Sequence, residues 1–176
     1  MEDFIILFFG LLRPYKGVRY LIKAFEILPE QIIRNSRLII VGEAWEDKES
    51  IELARKSKCS DKITIINRYV PDNEVSLYFS SADVVVLPYL RASQSGVAHI
   101  AMAFGLPIVA TPVGGLKDSL SKYDGTYFVE PKDFEGIAKA LLNVYYERKS
   151  YSPPKDLKWD NLAKKWIELL SSVIKC

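Results

Sequence analysis

Residues 4–17 read FIILFFGLLRPYKG and begin with six consecutive apolar residues. A run of this length, rich in aromatic and β-branched side chains, is typical of a strand that is covered on both faces. Gly10 can turn the chain where a Cβ would clash, and apolar residues then recur with helical spacing from Val18 to Leu28. The stretch therefore predicts a buried strand, a glycine turn and a helix.

The turn after the predicted strand contains two cations, Arg13 and Lys16. The start of a helix has unpaired N–H groups and a partial positive charge, so two full charges beside it would form an anion site. The alternative is a surface loop with two solvated cations, and this stretch alone does not separate the two interpretations. It is neither a P-loop nor a dinucleotide-binding fingerprint, because the required glycines do not follow Gly10.

The alternation of short apolar runs with helical patterns continues to residue 146. Further strands are predicted at residues 37–42, 63–66, 84–88, 108–111 and 126–129, and helices at residues 46–58, 72–82, 96–104 and 134–146. Strands that alternate with helices need crossover connections, which favour a parallel sheet. We therefore predict an α/β fold at residues 1–150, a Rossmann-like parallel sheet of about six strands with helices on both faces.

Residues 151–176 begin with a break at Pro153 and Pro154 and then carry a helical apolar stripe that includes Trp159 and Trp166. We predict a C-terminal helix that packs back on the preceding domain. The alternative is that part of the stripe covers a second domain outside this chain.

The composition narrows the class of protein. The 176 residues have a net charge of +2, which argues against a protein that binds nucleic acid through bulk electrostatics. The two cysteines, Cys59 and Cys176, are far apart in the sequence and predict no disulfide framework. The longest apolar runs are too short to cross a bilayer, and no basic segment of a secretory signal follows Met1. We therefore expect a cytoplasmic protein in a reducing compartment.

A ligand is expected beside the segments that follow the strands. In open parallel sheets, ligands bind at the carboxyl ends of the strands, where the strand order reverses. The segment after the fourth strand, Arg91–Gly96, is small and polar and enters a helix that Ser93 or Ser95 could cap. Together with Arg13 and Lys16, that helix start would suit a diphosphate. A simple serine N-cap is the alternative.

Other kinds of site find little support in the sequence. His99 is the only histidine, so no zinc site is predicted, and a packed or half-exposed structural histidine is the favoured interpretation. No serine lies in a Gly-x-Ser-x-Gly nucleophile elbow. Glu43 and Asp118 follow predicted strands, but nothing in the sequence pairs them, and both are expected to be solvated loop acids.

Five segments carry a resemblance to a known family: residues 10–17, 40–43, 81–88, 101–111 and 114–118. Their order and spacing resemble the C-terminal nucleotide-sugar-binding domain of the group 1 glycosyltransferases, which are retaining enzymes with the GT-B fold. The resemblance implies one half of a GT-B fold. It also implies transfer of a sugar, with retention, from a nucleoside diphosphate sugar such as a UDP- or GDP-sugar, with no metal and no separate cofactor.

The resemblance further implies roles for particular residues. Lys16 is expected to hold the donor diphosphate. Arg13 is expected to replace the family arginine that usually follows the glycine directly, where this chain has Leu11. These two cations, Arg13 and Lys16, are the expected catalytic residues. The expected donor-binding residues are Gly10, the nucleobase loop of Arg68, Tyr69 and Val70, and the small polar loop of Ser93, Gln94, Ser95 and Gly96.

Two departures from the family pattern matter for these expectations. Members have a pair of glutamates that contact the donor sugar and the ribose, and this chain has Ala92 and Ile100 at those positions. The polar groups of the Ser93–Gly96 loop are expected to hold the sugar hydroxyls instead. Members also have an acceptor-binding domain before this one, so an acceptor saccharide or lipid, and any peripheral contact with a membrane, are expected to involve that missing N-terminal domain.

Two functions of other classes stay open on the sequence alone. One is a nucleotide-sugar-binding module without catalysis, which would fit the missing glutamates and the missing domain. The other is an unrelated doubly wound domain that binds a nucleotide or a phosphorylated metabolite for regulation. No nucleic-acid partner is expected.

Overall fold

The strands form a parallel sheet in the computed structural model, which describes residues 3–154. They are β1 (Phe4–Phe9), β2 (Ser36–Val41), β3 (Ile63–Ile66), β4 (Val84–Leu87), β5 (Ile108–Ala110) and β6 (Thr126–Phe128). Their order in the sheet is β3-β2-β1-β4-β5-β6, and every neighbouring pair is parallel. The predicted Rossmann-like α/β fold is confirmed.

Helices connect these strands. They are α1 (Val18–Glu26), α2 (Glu30–Arg34), α3 (Lys48–Lys56), α4 (Asp72–Ser81), α5 (Gly96–Ala103), α6 (Gly115–Leu120) and α7 (Phe134–Glu147). The short helices α2 and α6 were not predicted, and α6 begins where the double glycine of residues 114–115 suggests only a turn. The predicted C-terminal helix, with Trp159 and Trp166, lies outside the described residues. The domain boundary at residue 150 therefore stays a prediction.

The two central strands, β1 and β4, decide where a ligand can bind. Ile6 lies opposite Val84 and Leu7 opposite Val85, and all four side chains are fully buried. This burial explains why both strands are uninterrupted apolar runs in the sequence. On its other side β1 pairs with β2, so the strand order reverses between β1 and β4.

The amino edge of the sheet is closed by Asp83, which precedes β4. The Ile5 N–H donates to Asp83 Oδ2 at 2.7 Å, and Arg148 Nη1 donates to Asp83 Oδ1 at 3.1 Å. The guanidinium of Arg148 also lies 4.7 Å from the centroid of the Phe4 ring. Asp83 and Arg148 therefore tie the end of α7 to the beginnings of β1 and β4.

Candidate functional site

The loops that follow β1 and β4 lie side by side at the carboxyl edge of the sheet. The Leu90 N–H donates to the Tyr15 carbonyl at 2.7 Å, which joins the two loops directly. Because the strand order reverses between β1 and β4, this pair of loops marks the crevice where open α/β sheets bind ligands. The two segments that the sequence singled out are therefore neighbours.

Lys16 lies between the end of β1 and the start of α5. A single 3-10 turn, Pro14–Lys16, follows the β1 loop and ends at this lysine. A Cβ on Gly10 would be only 3.1 Å from Lys16 Nζ and 3.7 Å from Val97 Cγ2. A side chain at this position would have to displace the flexible end of Lys16 by a few tenths of an ångström. The φ of +116° at Gly10 disfavours any other residue and explains why a glycine ends β1.

The surroundings of Lys16 favour an anionic ligand. Its Nζ lies 5.1 Å from the centroid of the Tyr89 ring, which is within cation–π range. Burial, with a further contribution from the charge of Arg13, lowers the pKa of Lys16 below its usual value. Among residues 3–154, the Lys16 ammonium forms no ion pair. A bound anion would favour the charged lysine and so counteract both effects on its pKa.

A first cavity, of about 500 Å³, opens beside Lys16; we call it the lysine cavity. It is lined by Tyr15, Lys16, Tyr89, Arg91, Ala92, Ser93, Gln94, Ser95, Gly96 and Val97. The cap of α5 is Ser95, whose Oγ accepts from the Ala98 N–H at 3.4 Å, and the helix begins at Gly96. The structure therefore brings Lys16, the predicted small polar loop and a helix N-terminus together around one cavity.

The double glycine after β5 supports that loop from behind. A Cβ on Gly114 would lie 1.8 Å from the Ala92 carbonyl oxygen, and one on Gly115 would lie 2.0 Å from the Ser93 carbonyl oxygen. Gly114 also has a φ of +50°, in the left-handed region that favours glycine. Sequence reasoning found the turn but not its role as a platform for the loop after β4.

A second cavity, of about 350 Å³, lies at the ends of β1, β2 and β3; we call it the aromatic cavity. It is lined by Phe9, Gly10, Leu11, Gly42, Glu43, Trp45, Arg68, Tyr69 and Val70. Trp45 and Tyr69 are 57% and 70% exposed, unusually high values for large aromatic side chains. The structure therefore places Gly10 and the whole predicted nucleobase loop around one apolar hollow.

The cation in the nucleobase loop is already paired. The Arg68 guanidinium binds the Glu74 carboxylate and also donates from Nη1 to the Tyr69 carbonyl at 3.1 Å. The hydrogen bond with Glu74 raises the pKa of Arg68. Arg68 therefore shapes the loop, and a ligand in the aromatic cavity meets mainly the backbone and aromatic faces there.

Arg13 lies beside Trp45, three residues before Lys16 in the same loop. It lines neither cavity, and its guanidinium lies 5.2 Å from the centroid of the Trp45 ring. The reason is that pairing between the first two strands resumes after Gly10, with a bridge from Leu12 to Ala44 that holds Arg13 beside Trp45. Arg13 is nevertheless close enough to lower the pKa of Lys16, and its role beside the donor diphosphate stays a prediction.

Sequence reasoning missed Trp45. The sequence did contain an indication of its role. Trp45 is a large aromatic residue in an otherwise polar stretch, shortly after a strand that ends in glycine, and it does not belong to an apolar run that would form the core. The spacing of apolar residues gives such a tryptophan no partner in the core, which is itself an indication of a surface role.

The remaining candidates have structural roles. The Nδ1 of His99 lies 2.9 Å from the Ser95 carbonyl oxygen, within the first turn of α5. Ile100, at one of the two positions where the resemblance implies a glutamate, packs against the hydrophobic core. Among residues 3–154 no group of three or more His, Cys, Asp and Glu side chains is arranged to hold a metal ion. Within the same range no helix is long and apolar enough to span a membrane.

Comparisons with known proteins identify the family. Residues 3–147 match the family model described as Glycosyl transferases group 1. A curated relative, the uncharacterized glycosyltransferase MJ1607 of Methanocaldococcus jannaschii, is 29% identical over 96% of this chain. The chain spans 45% of the length of that relative.

Solved structures share the fold. The C-terminal domain of the group 1 glycosyltransferase LpcC from Francisella tularensis has a TM-score of 0.73 at 22% identity, over 94% of this chain and 87% of that chain. HepE from Anabaena, solved in complex with UDP-glucose, has a TM-score of 0.76 at 18% identity, over 97% of this chain and 49% of that chain. The present chain belongs to the group 1 glycosyltransferases, and its fold is that of the C-terminal domain of a GT-B enzyme.

Proposed function

We propose that this chain is the donor-binding domain of an enzyme that transfers a sugar, with retention, from a nucleoside diphosphate sugar to an acceptor. The observation that carries the proposal is the position of Lys16. Its ammonium group lies close to Gly10 at the end of β1, lines the lysine cavity together with the start of α5, and has no ion-pair partner among residues 3–154. This is where a doubly wound sheet binds the phosphates of a nucleotide.

The chemistry of the two cavities suggests which part of the donor binds in each of them. The aromatic cavity offers flat apolar surfaces and backbone groups, which suit a nucleobase. The lysine cavity offers a cation, a helix N-terminus and the hydroxyl and amide groups of Ser93 and Gln94, which suit a diphosphate and its sugar. Gly10 lines the aromatic cavity and also lies close to the Lys16 ammonium, so a nucleotide that passes Gly10 would reach both.

The chemistry of sugar transfer explains why positive charge is needed. As the bond between the sugar and the diphosphate breaks, negative charge builds up on the leaving diphosphate. Fixed donors placed at that point stabilise the transition state more than the bound substrate, and removing one such donor typically costs about 3–4 kcal/mol. Lys16 and the first N–H groups of α5 would supply this stabilisation from the chain itself.

UDP-sugars are the first donors to test. HepE of Anabaena, which shares the fold, was solved with UDP-glucose. The acceptor, a saccharide or a lipid in this proposal, would bind mainly outside the present chain, which spans about half the length of its relative MJ1607. Transfer itself would therefore be measured with the complete enzyme.

The experiment is calorimetric titration of the 176-residue chain with UDP, GDP and ADP. We expect binding of at least one nucleoside diphosphate and a loss of about tenfold or more in affinity for Lys16→Ala, because a charge-assisted hydrogen bond is worth about 1.5–3 kcal/mol. Lys139→Ala is the matched control, since Lys139 is exposed on α7 and lines neither cavity.

Two outcomes would contradict the proposal. If no nucleoside diphosphate binds and another phosphorylated compound binds tightly, the domain is a regulatory phosphometabolite-binding module. If a nucleotide sugar binds but the complete enzyme transfers no sugar to any acceptor preparation, the domain is a non-catalytic binding module. The anomeric configuration of a transferred sugar, followed by NMR, tests retention.

A further inference from the structure

The proposed function gives no role to the carboxylate of Glu43, which lies in the aromatic cavity. Two charged side chains line this cavity, Arg68 and Glu43, and Arg68 is paired with Glu74. The carboxylate of Glu43 is exposed and forms no ion pair or hydrogen bond with any of residues 3–154. The other side chains around it are mostly apolar, among them Trp45 and Tyr69. An acceptor-only group thus stands free beside aromatic surfaces.

The backbone of Glu43 is firmly held. Its carbonyl oxygen accepts from the Leu12 N–H at 2.9 Å, so it is fixed to the loop after β1. The next residue, Ala44, donates its N–H to Asn67 Oδ1 at 2.8 Å, which fixes it to the loop after β3. The carboxylate is therefore presented from a rigid base at the end of β2.

Glu43 lines the aromatic cavity next to Gly42, and this glycine connects it to the end of β1. A Cβ on Gly42 would be 2.1 Å from the Gly10 carbonyl oxygen, so Gly42 packs directly on Gly10. A Cβ on Gly10 would in turn lie 3.1 Å from Lys16 Nζ, so the ammonium group is close to Gly10. If the base of a nucleotide packs on Trp45 or Tyr69 and its diphosphate binds Lys16, the ribose that joins them would lie near Gly10 and Gly42.

We infer that the Glu43 carboxylate accepts hydrogen bonds from the ribose hydroxyls of the bound nucleoside diphosphate. A carboxylate has two oxygens that accept and none that donates, which matches a pair of neighbouring hydroxyls. In dinucleotide-binding Rossmann domains, whose glycine fingerprint this chain lacks, an acidic residue beyond the first βα turn binds a ribose hydroxyl, which shows that a carboxylate can serve in this way. A phosphate would be repelled by Glu43, so its presence favours the same direction of binding, with the diphosphate at Lys16. This inference rests on the proposed function.

The test compares nucleotides that differ only in their ribose hydroxyls. UDP, 2′-deoxy-UDP and 3′-deoxy-UDP are titrated calorimetrically into the wild-type chain, Glu43→Gln and Glu43→Ala. We expect the wild type to bind UDP about tenfold or more tightly than either deoxy form, since each lacks a hydrogen bond to a charged group. In both variants the affinity for UDP should fall by a larger factor than that for either deoxy nucleotide, because UDP loses both hydroxyl–carboxylate hydrogen bonds and each deoxy form loses only the one that it still makes. Glu46→Gln is the control, because Glu46 is exposed nearby and lines neither cavity.

Each possible result bears on the inference. Equal affinities of the wild type for UDP and both deoxy forms would overturn it and leave the proposed function standing. An equal loss for all three nucleotides in Glu43→Gln would also overturn it. GDP is titrated alongside, and a loss of affinity in Glu43→Gln that is confined to GDP would likewise overturn the inference, because Glu43 would then bind the N–H edge of guanine. If the wild type binds no nucleoside diphosphate at all, the proposed function fails and this inference fails with it.

Discussion

The two edges of the sheet treat their charges in opposite ways. At the amino edge, Asp83 receives hydrogen bonds from the Ile5 N–H and from Arg148, and the guanidinium of Arg148 also lies over the Phe4 ring. At the carboxyl edge, Lys16 and Glu43 have no ion-pair partner among residues 3–154. Arg68 at the carboxyl edge is paired with Glu74, so the contrast holds for Lys16 and Glu43 in particular. We expect the paired charges of Asp83 and Arg148 to stabilise the fold and the unpaired charges of Lys16 and Glu43 to bind a ligand.

Two strongly exposed aromatic side chains border the aromatic cavity at the carboxyl edge, although exposure is not confined to that edge, since Tyr146 near the end of α7 is 73% exposed. Phe4, at the amino edge, is 1% exposed beneath Arg148, while Trp45 and Tyr69 are more than half exposed at the carboxyl edge. Exposed aromatic side chains lower the solubility of a protein, so their presence beside a cavity is typical of a binding surface. The difference between the edges yields predictions for the function and for the stability separately.

The largest expected effect is on catalysis. In the complete enzyme, Lys16→Ala should lower the turnover number by roughly two to three orders of magnitude, because the leaving diphosphate loses a fixed positive charge. Single-turnover kinetics with saturating donor would measure this step. Lys139→Ala should leave the rate unchanged, and an unchanged rate in Lys16→Ala would remove Lys16 from the mechanism.

The next effect is on stability at the opposite edge. Asp83→Ala leaves the Ile5 N–H and the Arg148 guanidinium without their shared acceptor, so we expect the free energy of unfolding to fall by about 2 kcal/mol. Urea denaturation would measure the change, with Asp124→Ala as the control for an exposed loop acid. Nucleotide affinity should stay at the wild-type value. A large loss of affinity with little loss of stability would contradict the division between the edges.

The central strands and the crevice between them could be predicted because the sheet is buried on both faces. β1 and β4 are uninterrupted apolar runs, so their positions and the loops that follow them were recognisable from sequence. Once the strand order is known, the position of the crevice follows. The Lys16 and Ser93–Gly96 segments were found together for this reason.

Other features of the fold and of the site depend on contacts between distant residues, which a local sequence pattern does not indicate. The short helix α6 was missed because its two glycines are typical of a turn, and only the burial of Leu116 and Leu120 favours a helix. The placement of Arg13 beside Trp45 depends on the bridge between Leu12 and Ala44, which re-forms after Gly10 has interrupted the strand. Such a bridge joins residues far apart in the sequence, so spacing alone gives no sign of it.

A smaller effect, on ligand affinity, is expected from changing Gly114, which packs against the loop after β4. Gly114→Ala would place a Cβ against the Ala92 carbonyl oxygen and displace the loop that contains Ser93 and Gln94. We expect affinity for a nucleoside diphosphate sugar to fall about tenfold, equivalent to about 1.4 kcal/mol. Calorimetry with the sugar nucleotide and with UDP would measure it. Lys117→Ala, an exposed change on α6, is the control, and unchanged affinity in Gly114→Ala would show that the loop position is not set by this contact.

The smallest expected effect is on the free energy of unfolding and arises from the unpaired charge of Lys16. Burial and the charge of Arg13 lower the pKa of Lys16 from 10.5, so its charge opposes folding at neutral pH. Lys16→Met should therefore raise the free energy of unfolding at neutral pH by about 0.5 kcal/mol, as measured by urea denaturation.

The pH dependence of that difference has a definite sign. Between the folded pKa of Lys16 and 10.5 the unfolded chain holds more protons than the folded chain, so the stability of the wild type rises with pH over this range. The advantage of Lys16→Met is then full below the folded pKa and disappears as the pH passes 10.5. Comparing the two proteins at each pH cancels the titration of groups they share. An advantage that grows with pH would mean that Lys16 is stabilised by a partner in the folded chain, and the contrast between the two edges would be lost.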